Sequence, residues 1–355
     1  MRIAIVGGGI NGLCCAWTLA GKNHEVELFE RGELMSETSR ASSKLLHGGL
    51  RYLETGQFRL VREALRERDA WFARAPQFAR PLSLVIPIYA RNRRKRWQFG
   101  LGLRLYRLLA GASQHRDYRW LDRETLRRQD PELNTDGLRG GYRFTDGQMD
   151  DHALGLWVAE CAREAGAMLH EHAPVCELDP RGQMTLEQGQ SRFYDRIINV
   201  AGPWAERLAT RGGQKLPSRL DPVRGSHLVV SRPCRQAYLV ENPADGRVVF
   251  ILPWQGHTLI GPTEVRQSLD DPIACSAEEE IYLLAAHNAV KGPTLTQESI
   301  CQRFGGVRPL LQSAKNPNRA SREYALCRQD RLLTVLGGKW TTAPALAAHV
   351  ERALS

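Results

Sequence analysis

The sequence lacks the cysteine patterns that indicate a metal site or a disulfide framework. None of its eight cysteines forms a CxxC pair, and no cluster of cysteine and histidine has the spacing of a zinc site. We therefore predict no metal and expect reduced thiols. No run approaches the roughly 20 apolar residues of a membrane-spanning helix, and the first apolar run is too short and glycine-rich for a signal peptide. These absences predict a cytoplasmic protein.

Lysine is scarce, because it supplies only seven of the 49 basic residues although the formal net charge is +10. Part of the basicity therefore reflects a general preference for arginine. The charge suits an anionic small molecule, an acidic membrane surface or nucleic acid, and by itself it does not choose among them. The sequence has no low-complexity tract and no evident repeat, and 355 residues suffice for about two domains.

Residues 1–31 have the pattern of a complete strand-helix-strand unit. The apolar run Ile3–Val6 predicts a buried strand, and the apolar spacing of Leu13–Ala20 predicts a helix. A second strand is predicted over Glu25–Phe29. Two strands joined by a helix in this way are typical of a nucleotide-binding fold.

Gly7, Gly9 and Gly12 form a GxGxxG pattern between the first strand and the helix. Such glycines permit a tight turn, the close approach of a pyrophosphate and close packing of helix on strand. The helix N-terminus favours phosphates through its dipole and its unpaired N–H groups. Glu30 ends the second strand, where a carboxylate accepts hydrogen bonds from a ribose. The pattern predicts a dinucleotide and does not separate FAD from NAD.

A polar loop, Ser36–Ser43, runs into a segment with the side chains of Lys44, His47, Arg51 and Tyr52. Serine and glycine let the backbone approach a ligand, and the polar side chains exceed what a structural loop requires. The stretch ASSKLLHGGLRYLETGQFRLVREAL, together with the glycine pattern, resembles the bacterial FAD-dependent glycerol-3-phosphate dehydrogenases, which are related to the D-amino-acid-oxidase-like flavoproteins. The resemblance implies FAD as the cofactor.

Further fragments match this family, in its order, along nearly the whole chain. They are GGLRY with Arg51 and Tyr52, RGSHLVV with His227, GPTEV with Glu264, GVRPL with Arg308, ASREY with Arg322 and GGKWTT with Lys339. The resemblance implies an α/β fold in which a Rossmann-like FAD-binding domain of the glutathione-reductase type carries an inserted α+β substrate domain built on a mixed sheet. The longer relatives continue into a helical C-terminal domain, and we expect a short form that lacks it.

The resemblance also divides the chain into two discontinuous domains. Residues 1–80, 141–216 and 325–355 are expected to form the FAD-binding domain, and residues 81–140 and 217–324 the substrate domain. The residues implied to contact FAD come from the glycine turn, the second strand, the serine-rich loop and three later segments: Gly7, Gly9, Ile10, Asn11, Gly12, Glu30, Arg31, Ser42, Ser43, Lys44, Leu46, Cys176, Ala201, Gly202, Trp204, Gly338, Lys339, Trp340 and Thr341.

The basic residues of the family fragments indicate an anionic substrate. A pocket that collects Arg51, Arg308, Arg322 and Lys339 would be strongly positive unless an anion entered it. Arginine offers planar paired donors that match phosphate oxygens, so we expect Arg308 and Arg322 to bind a phosphate. Arg51 is expected nearer the reacting carbon, and Tyr52 is expected to contact the substrate. Lys339 is expected either to contact substrate or to stabilise negative charge on reduced flavin.

His227 is the first candidate for the catalytic base, because the pKa of imidazole lies near neutrality. Glu264 is expected to orient His227 or to share its task, and Arg51 and Arg308 complete the predicted catalytic set. Pro262 and Glu264 stand where the family has threonine and aspartate. The longer acid and the missing hydroxyl predict a pocket of altered dimensions.

These features predict oxidation of sn-glycerol 3-phosphate, or a close phosphorylated alcohol, to the ketone, which is dihydroxyacetone phosphate in the first case. Hydride would pass to flavin N5, and electrons would leave to quinone or another acceptor. One alternative is a 2-hydroxy-acid or amino-acid oxidase or dehydrogenase of the same superfamily. A remote alternative is a flavin-containing RNA-modifying protein, although no RNA-binding motif accompanies the basic residues and no nucleic-acid partner is expected.

Residues 91–111, RNRRKRWQFGLGLRLYRLLAG, form a basic amphipathic segment. Such a segment suits the anionic inner face of the cytoplasmic membrane, where each nearby basic residue contributes on the order of 1 kcal/mol. A helix that packs on protein and leaves its basic end in solvent has the same pattern. Peripheral membrane contact is common to the related dehydrogenases, so both interpretations stay open.

Overall fold

The computed structural model describes residues 1–312 and 324–354, which fold into a mixed α/β structure. The predicted fold class is thereby confirmed. Its helices are α1 (Ile10–Ala20), α2 (Phe58–Arg74), α3 (Arg96–Leu109), α4 (Arg123–Gln129), α5 (Asp151–Glu164), α6 (Ala205–Arg211), α7 (Ala277–Asn288) and α8 (Ala343–Leu354). Its strands are β1 (Arg2–Val6), β2 (Glu25–Phe29), β3 (Leu45–Leu46), β4 (Ala79–Tyr89), β5 (Tyr118–Leu121), β6 (Leu138–Met149), β7 (Met168–His170), β8 (Val175–Leu178), β9 (Gln183–Leu186), β10 (Ser191–Phe193), β11 (Arg196–Asn199), β12 (Leu220–Val230), β13 (Ala237–Glu241), β14 (Val248–Trp254), β15 (His257–Gly261), β16 (Val265–Arg266), β17 (Ile300–Leu311), β18 (Tyr324–Gln329) and β19 (Leu332–Gly337).

A six-stranded sheet contains the predicted nucleotide-binding unit. Its order is β18-β19-β11-β1-β2-β7, and all neighbouring pairs are parallel except β18 with β19. The apolar run of β1 is buried because α1, α5 and α8 pack on one side of the sheet. The antiparallel strands β8, β9 and β10, with α6, pack on the other side. The parallel pairing directs the carboxyl ends of β1, β2, β11 and β19 to one edge, where a nucleotide binds in such folds.

The second large sheet is mixed and has the order β16-β12-β15-β14-β13-β4-β6-β3, with β17 paired to β12 and β5 paired to β6. Helices α4 and α7 cover one of its faces. The 3-10 helix Leu50–Thr55 packs on the other face with α2 and α3. The pairing of β12 with β17 sets Val223 opposite Arg308 and His227 opposite Phe304.

The predicted domain segments can be compared with the strands that form each of the two large sheets. The six-stranded sheet takes its strands from the three predicted FAD-binding segments, apart from Tyr324 at the start of β18. In contrast, β3 and the part of β6 after residue 140, which were assigned to those segments, pair within the second sheet. The division into two domains stays a prediction.

Helix α3 is amphipathic, as residues 91–111 predict. Phe99, Leu103 and Tyr106 are buried, whereas Trp97 is 67% exposed and Leu108 is 69% exposed. Among the described helices, none combines the length and the apolar character needed to cross a bilayer.

Candidate active site

A cavity of about 1230 Å³ is lined by strands of both large sheets and by the loops that join them. The predicted residues on its wall come from all the segments expected to meet FAD or substrate within the described ranges, except that of Cys176. Those expected to meet FAD are Gly7, Gly9, Ile10, Asn11, Glu30, Arg31, Ser42, Ser43, Ala201, Gly202, Trp204, Gly338, Lys339, Trp340 and Thr341. Those expected to meet substrate are Arg51, Tyr52, His227, Glu264, Arg308 and Lys339. Arg322 lies outside the described residues.

The glycine turn between β1 and α1 forms one end of the cavity. Gly7 has a φ of +116°, and a Cβ on it would overlap the backbone of Val200 and Ala201. A Cβ on Gly12 would overlap the carbonyl oxygen of Gly7. Gly9 begins α1 without a capping side chain. The turn therefore brings an open helix N-terminus to the cavity, as a site for a pyrophosphate requires.

Glu30 lines the cavity beside this turn and holds it in shape. Its carboxylate accepts hydrogen bonds from the backbone N–H groups of Gly8, at 2.6 Å, and Gly32, at 3.0 Å. A carboxylate has about four lone-pair sites, so Glu30 can also accept a hydrogen bond from a ribose. At the helix start, the N–H of Ile10 donates to Ser39 Oγ at 3.1 Å.

Asn11 gives a further test of whether a cofactor fits. Its Oδ1 is buried and has no hydrogen-bond partner among the described residues, although Asn11 lines the cavity. Buried amide oxygens are nearly always hydrogen-bonded, so an orphaned one beside a cavity indicates a ligand donor. Elsewhere on the cavity wall the Arg31 guanidinium lies 3.9 Å from the centre of a Trp204 ring. These residues fit a dinucleotide.

The serine-rich loop is fixed from behind by Asp151 at the start of α5. Ser42 Oγ donates to Asp151 Oδ2 at 2.6 Å, and Lys44 Nζ donates to Asp151 Oδ1 at 2.7 Å. Asp150 caps the helix by accepting the N–H of Ala153 at 3.0 Å. Asp150 alone is enough to cap α5, so the adjacent Asp151 is left to hold Ser42 and Lys44. The pair of adjacent acids was the sequence signal for this contact, and the sequence-based prediction did not include it.

Four predicted cofactor residues, Gly12, Lys44, Leu46 and Cys176, do not line the cavity. Lys44 is turned toward Asp151, and Leu46 is fully buried in β3. Cys176 Sγ donates to the carbonyl of Thr185 at 3.4 Å. The task of Gly12 is close packing of α1, as its position in the glycine pattern predicts.

The segment after β19 joins the cofactor end to the substrate end. Lys339 Nζ donates to the carbonyl of His47 at 2.5 Å, and Trp340 Nε1 donates to the carbonyl of Ser39 at 3.1 Å. Lys339 Nζ also lies 5.3 Å from the centre of the Tyr52 ring. His47 itself lines the cavity near Phe250. Segments far apart in sequence therefore meet around one lysine.

Arg51 and Arg308 share one carboxylate, that of Glu264. Arg51 Nη2 lies 3.1 Å from Glu264 Oε1, and Arg308 Nη1 lies 3.6 Å from the same oxygen. Arg308 Nη2 also donates to the carbonyl of Thr263 at 3.3 Å. The carboxylate of Glu264 thus holds the two guanidinium groups beside each other, in the cavity that Lys339 also lines.

His227 lies on β12, where its ring stacks on Phe304 with a centroid separation of 4.9 Å. It is only 2% exposed, and its Nε2 lies 2.8 Å from Ser43 Oγ. Burial, and then the positive charges of Arg308 and Lys44, hold the pKa of His227 well below its ordinary value. The imidazole is therefore neutral near pH 7 and can accept a proton.

Metal chemistry has no support in the part of the chain that the structure describes. There, no group of three or more His, Cys, Asp or Glu side chains could hold a metal ion.

Known proteins resemble this chain over nearly its whole length. A family model described as "FAD dependent oxidoreductase" matches residues 2–352. The chain is 36% identical to a glycerol-3-phosphate dehydrogenase of Pseudomonas aeruginosa, covering 97% of this chain and 70% of that protein. It is 37% identical to a D-erythritol 1-phosphate dehydrogenase of Brucella abortus, covering 97% of this chain and 71% of that protein.

The fold is also that of a solved relative. The glycerol-3-phosphate dehydrogenase of Bacillus halodurans, solved in complex with FAD, superposes with a TM-score of 0.79 at 24% identity, covering 100% of this chain and 64% of that one. The chain thus spans about two thirds of the length of these proteins.

Proposed function

Because the chain belongs to the family of FAD-dependent oxidoreductases, we propose that it oxidises the secondary alcohol of sn-glycerol 3-phosphate, or of a closely related phosphorylated alcohol, to the ketone. The relatives that carry the names of such dehydrogenases support this substrate class. The observation that carries the proposal is the charge balance of the substrate end of the cavity.

Arg51 and Arg308 share the carboxylate of Glu264, and Lys339 lines the same cavity beside the Tyr52 ring. Their formal charges sum to +2, and the neutral His227 adds nothing. A phosphate monoester carries about −1.5 to −2 at pH 7, whereas a carboxylate carries −1. The balance therefore favours a phosphorylated substrate over a 2-hydroxy acid or an amino acid, and paired arginine donors suit phosphate oxygens.

The chemistry that FAD would supply, when bound, is that of a hydride acceptor for the substrate carbon. We propose that the glycine turn and Glu30 hold its nucleotide half, and that Ser42, Ser43 and Lys339 meet its flavin half. The helix N-terminus at Gly9 would compensate the charge of the pyrophosphate. The protein's own task is then to orient the alcohol and to take its proton.

We propose His227 as the residue that takes the hydroxyl proton, at Nε2. The neutral imidazole has the protonation state that a base needs, and burial excludes water that would compete for the proton. Ser43 Oγ, at 2.8 Å, would hold the ring in place until substrate enters. Glu264 would keep Arg308 in place for the phosphate and Arg51 beside it, nearer the reacting carbon.

A longer phosphorylated polyol is the second candidate substrate, and the likeness to a D-erythritol 1-phosphate dehydrogenase favours it. The cavity wall continues beyond Glu264 to Arg247 and Asp245. Arg247 donates to the carbonyl of Glu264 at 3.1 Å and pairs with Asp245 at 3.2 Å. This wall offers donors and acceptors for one more hydroxyl group than glycerol 3-phosphate has.

We further propose that electrons leave to quinone or another acceptor and that α3 meets an anionic membrane surface. The exposed Trp97, Leu101 and Leu108 and the neighbouring Arg104 and Arg107 support such a surface, because apolar and cationic side chains together bind anionic lipid.

Anaerobic titration of the holoenzyme tests the proposed activity. Glycerol 3-phosphate should bleach the flavin absorbance, and erythritol phosphates, 2-hydroxy acids and amino acids should be compared in the same assay. Bleaching by a hydroxy acid or an amino acid, with none by phosphorylated alcohols, would overturn the proposal.

The matched variants R308K and R303K, which keep the charge, test whether the paired donors of Arg308 bind the phosphate. R308K loses the paired donors and should raise KM about tenfold, which corresponds to about 1.4 kcal/mol. Arg303 lies on the same strand, pairs with Glu280 and does not line the cavity, so R303K should keep the wild-type KM. Equal KM values in all three proteins would contradict a phosphate site at Arg308.

A further inference from the structure

A buried acid outside the cavity, Glu279, is hydrogen-bonded close to Arg308 of the proposed substrate site through Thr263. Glu279, in the first turn of α7, is 4% exposed and does not line the cavity. Its Oε1 accepts the hydroxyl hydrogen of Thr263 at 2.5 Å, and its Oε2 accepts hydrogen bonds from Arg224 Nη2 at 2.7 Å and from the N–H of Ser276 at 2.9 Å. Burial opposes the charge of Glu279, but these hydrogen bonds prevail and lower its pKa, so that it is ionised at neutral pH.

Thr263 connects Glu279 to residues 262–264, the three-residue link between β15 and β16. Its hydroxyl oxygen accepts the N–H of Ser226 at 2.8 Å, and its own N–H donates to the carbonyl of Ser226 at 3.1 Å. Thr263 is buried and does not line the cavity either. Its position is therefore fixed on two sides, by α7 through Glu279 and by β12 through Ser226.

The same link holds Arg308 from two directions. The carbonyl of Thr263 accepts Arg308 Nη2 at 3.3 Å, and the next residue, Glu264, places its carboxylate 3.6 Å from Arg308 Nη1. A Cβ on Gly225 would overlap the guanidinium group, so β12 leaves room for it at this position. The plane of the guanidinium group thus depends on where the Thr263 backbone lies.

A fork of two N–H donors binds a phosphate well only when its plane is fixed, so a tilt of that plane weakens the affinity for the phosphate. We infer that Thr263 and Glu279 are positioning residues for Arg308: they act through the Thr263 carbonyl and never touch the substrate. This inference rests on the proposed function, because it assigns Arg308 to the phosphate.

The valine and serine variants of Thr263 test the inference in the FAD-loaded enzyme. T263V keeps the shape of the side chain and removes the hydroxyl, and it should raise KM for glycerol 3-phosphate about tenfold while kcat stays within about twofold. T263S restores the hydroxyl and should return KM to within about twofold of wild type. Thr258 supplies the control, because it is equally buried and its hydroxyl donates to the carbonyl of Arg232 at 2.6 Å, away from the cavity.

FAD content and melting temperature separate positioning from folding. T258V should lose stability like T263V and keep the wild-type KM. A wild-type KM in T263V, or an equal rise of KM in T263V, T263S and T258V, would overturn the inference. If T263V does not fold, E279Q takes its place: the amide weakens the hydrogen bond from Thr263 and should raise KM about threefold. A folded E279Q with unchanged KM would also overturn it.

Inorganic phosphate keeps this test separate from the proposed activity. If no phosphorylated alcohol bleaches the wild-type flavin, the proposed function fails, and the Kd of inorganic phosphate is then measured from the change in flavin absorbance. The inference predicts a Kd about tenfold higher in T263V than in wild type or T258V. Equal Kd values would overturn it, and a wild-type enzyme that binds no phosphate would overturn both proposals.

Discussion

His227 shows that the identity of a residue predicts only part of its chemistry. The family resemblance points to this histidine, but its charge state depends on neighbours that are distant in sequence. Burial lowers its pKa most, and Arg308 and Lys44 lower it further. The pairing of β12 with β17 brings Phe304 onto the ring. No local pattern around residue 227 could have predicted a neutral, desolvated imidazole.

The first prediction concerns the pH dependence of His227. Its pKa in the folded protein is depressed below the ordinary value of about 6.5, so the ring stays neutral, and able to accept a proton, as the pH falls from 8 to that value. The second-order rate constant of anaerobic flavin reduction at low substrate, which reports pKa values of the free enzyme, should therefore stay level over this range. H227N should keep its FAD and lose about 10²- to 10⁴-fold in rate. A fall in rate centred at or above pH 6.5, or a near-normal H227N, would contradict the assignment.

The contacts of Glu264 differ from those that the sequence predicts. Glu264 was expected to orient His227 or to share its task, whereas its carboxylate lies beside Arg51 and Arg308. The reason is electrostatic: two guanidinium groups attract a carboxylate, and a neutral imidazole offers no charge to hold it. The role of Glu264 in the reaction stays a prediction, but the contacts favour one in holding the arginines.

Among the secondary-structure elements, those with strong local signals were predicted closely. The bounds of β2 agree with the sequence, and α1 ends at Ala20 as expected. Strand β17 was not predicted, because Gly305, Gly306 and Pro309 interrupt its pattern. It forms through its long pairing with β12, a tertiary contact that local propensity does not contain.

Helix α3 has two faces with separate tasks. On the inner face, Tyr106 donates to Asp146 and accepts the N–H of Gly48, both at 2.8 Å, next to the segment with Arg51. Before the helix, Arg94 pairs with Glu54 at the other end of that segment. Substitutions on the inner face would therefore disturb the cavity. The outer face can be changed without such an effect.

The second prediction is that the outer face of α3 binds anionic vesicles. Replacing Trp97, Leu101 and Leu108 by serine should abolish sedimentation with vesicles containing phosphatidylglycerol, because the exposed apolar area is lost. Neutral vesicles should bind the wild-type protein weakly.

I281S is the matched control for this test, since Ile281 is 61% exposed on α7. It should bind like wild type. Equal binding by the α3 triple variant and the wild type, or no binding by either, would show that the outer face is simply solvated.

At the scale of the whole molecule, the cavity is where distant segments meet. The glycine turn, the serine-rich loop, residues 200–204 and residues 337–341 all line it. Their order in the family made the site predictable, although nothing in their spacing shows that they converge. Convergence depends on parallel pairing of β1 with β11 and of β11 with β19, which places their carboxyl ends side by side.

The third prediction follows from this convergence. A ligand that binds only the folded protein stabilises it by about 2.7 kcal/mol at a hundredfold excess over Kd. FAD would bridge all four segments, so removing it should lower the melting temperature followed by circular dichroism, and adding it back should restore the value. ADP reaches only the glycine turn and Glu30, and it should restore a part. If ADP restored the whole shift, the serine-rich loop and residues 337–341 would contribute nothing to cofactor binding, and the cavity would be a mononucleotide site.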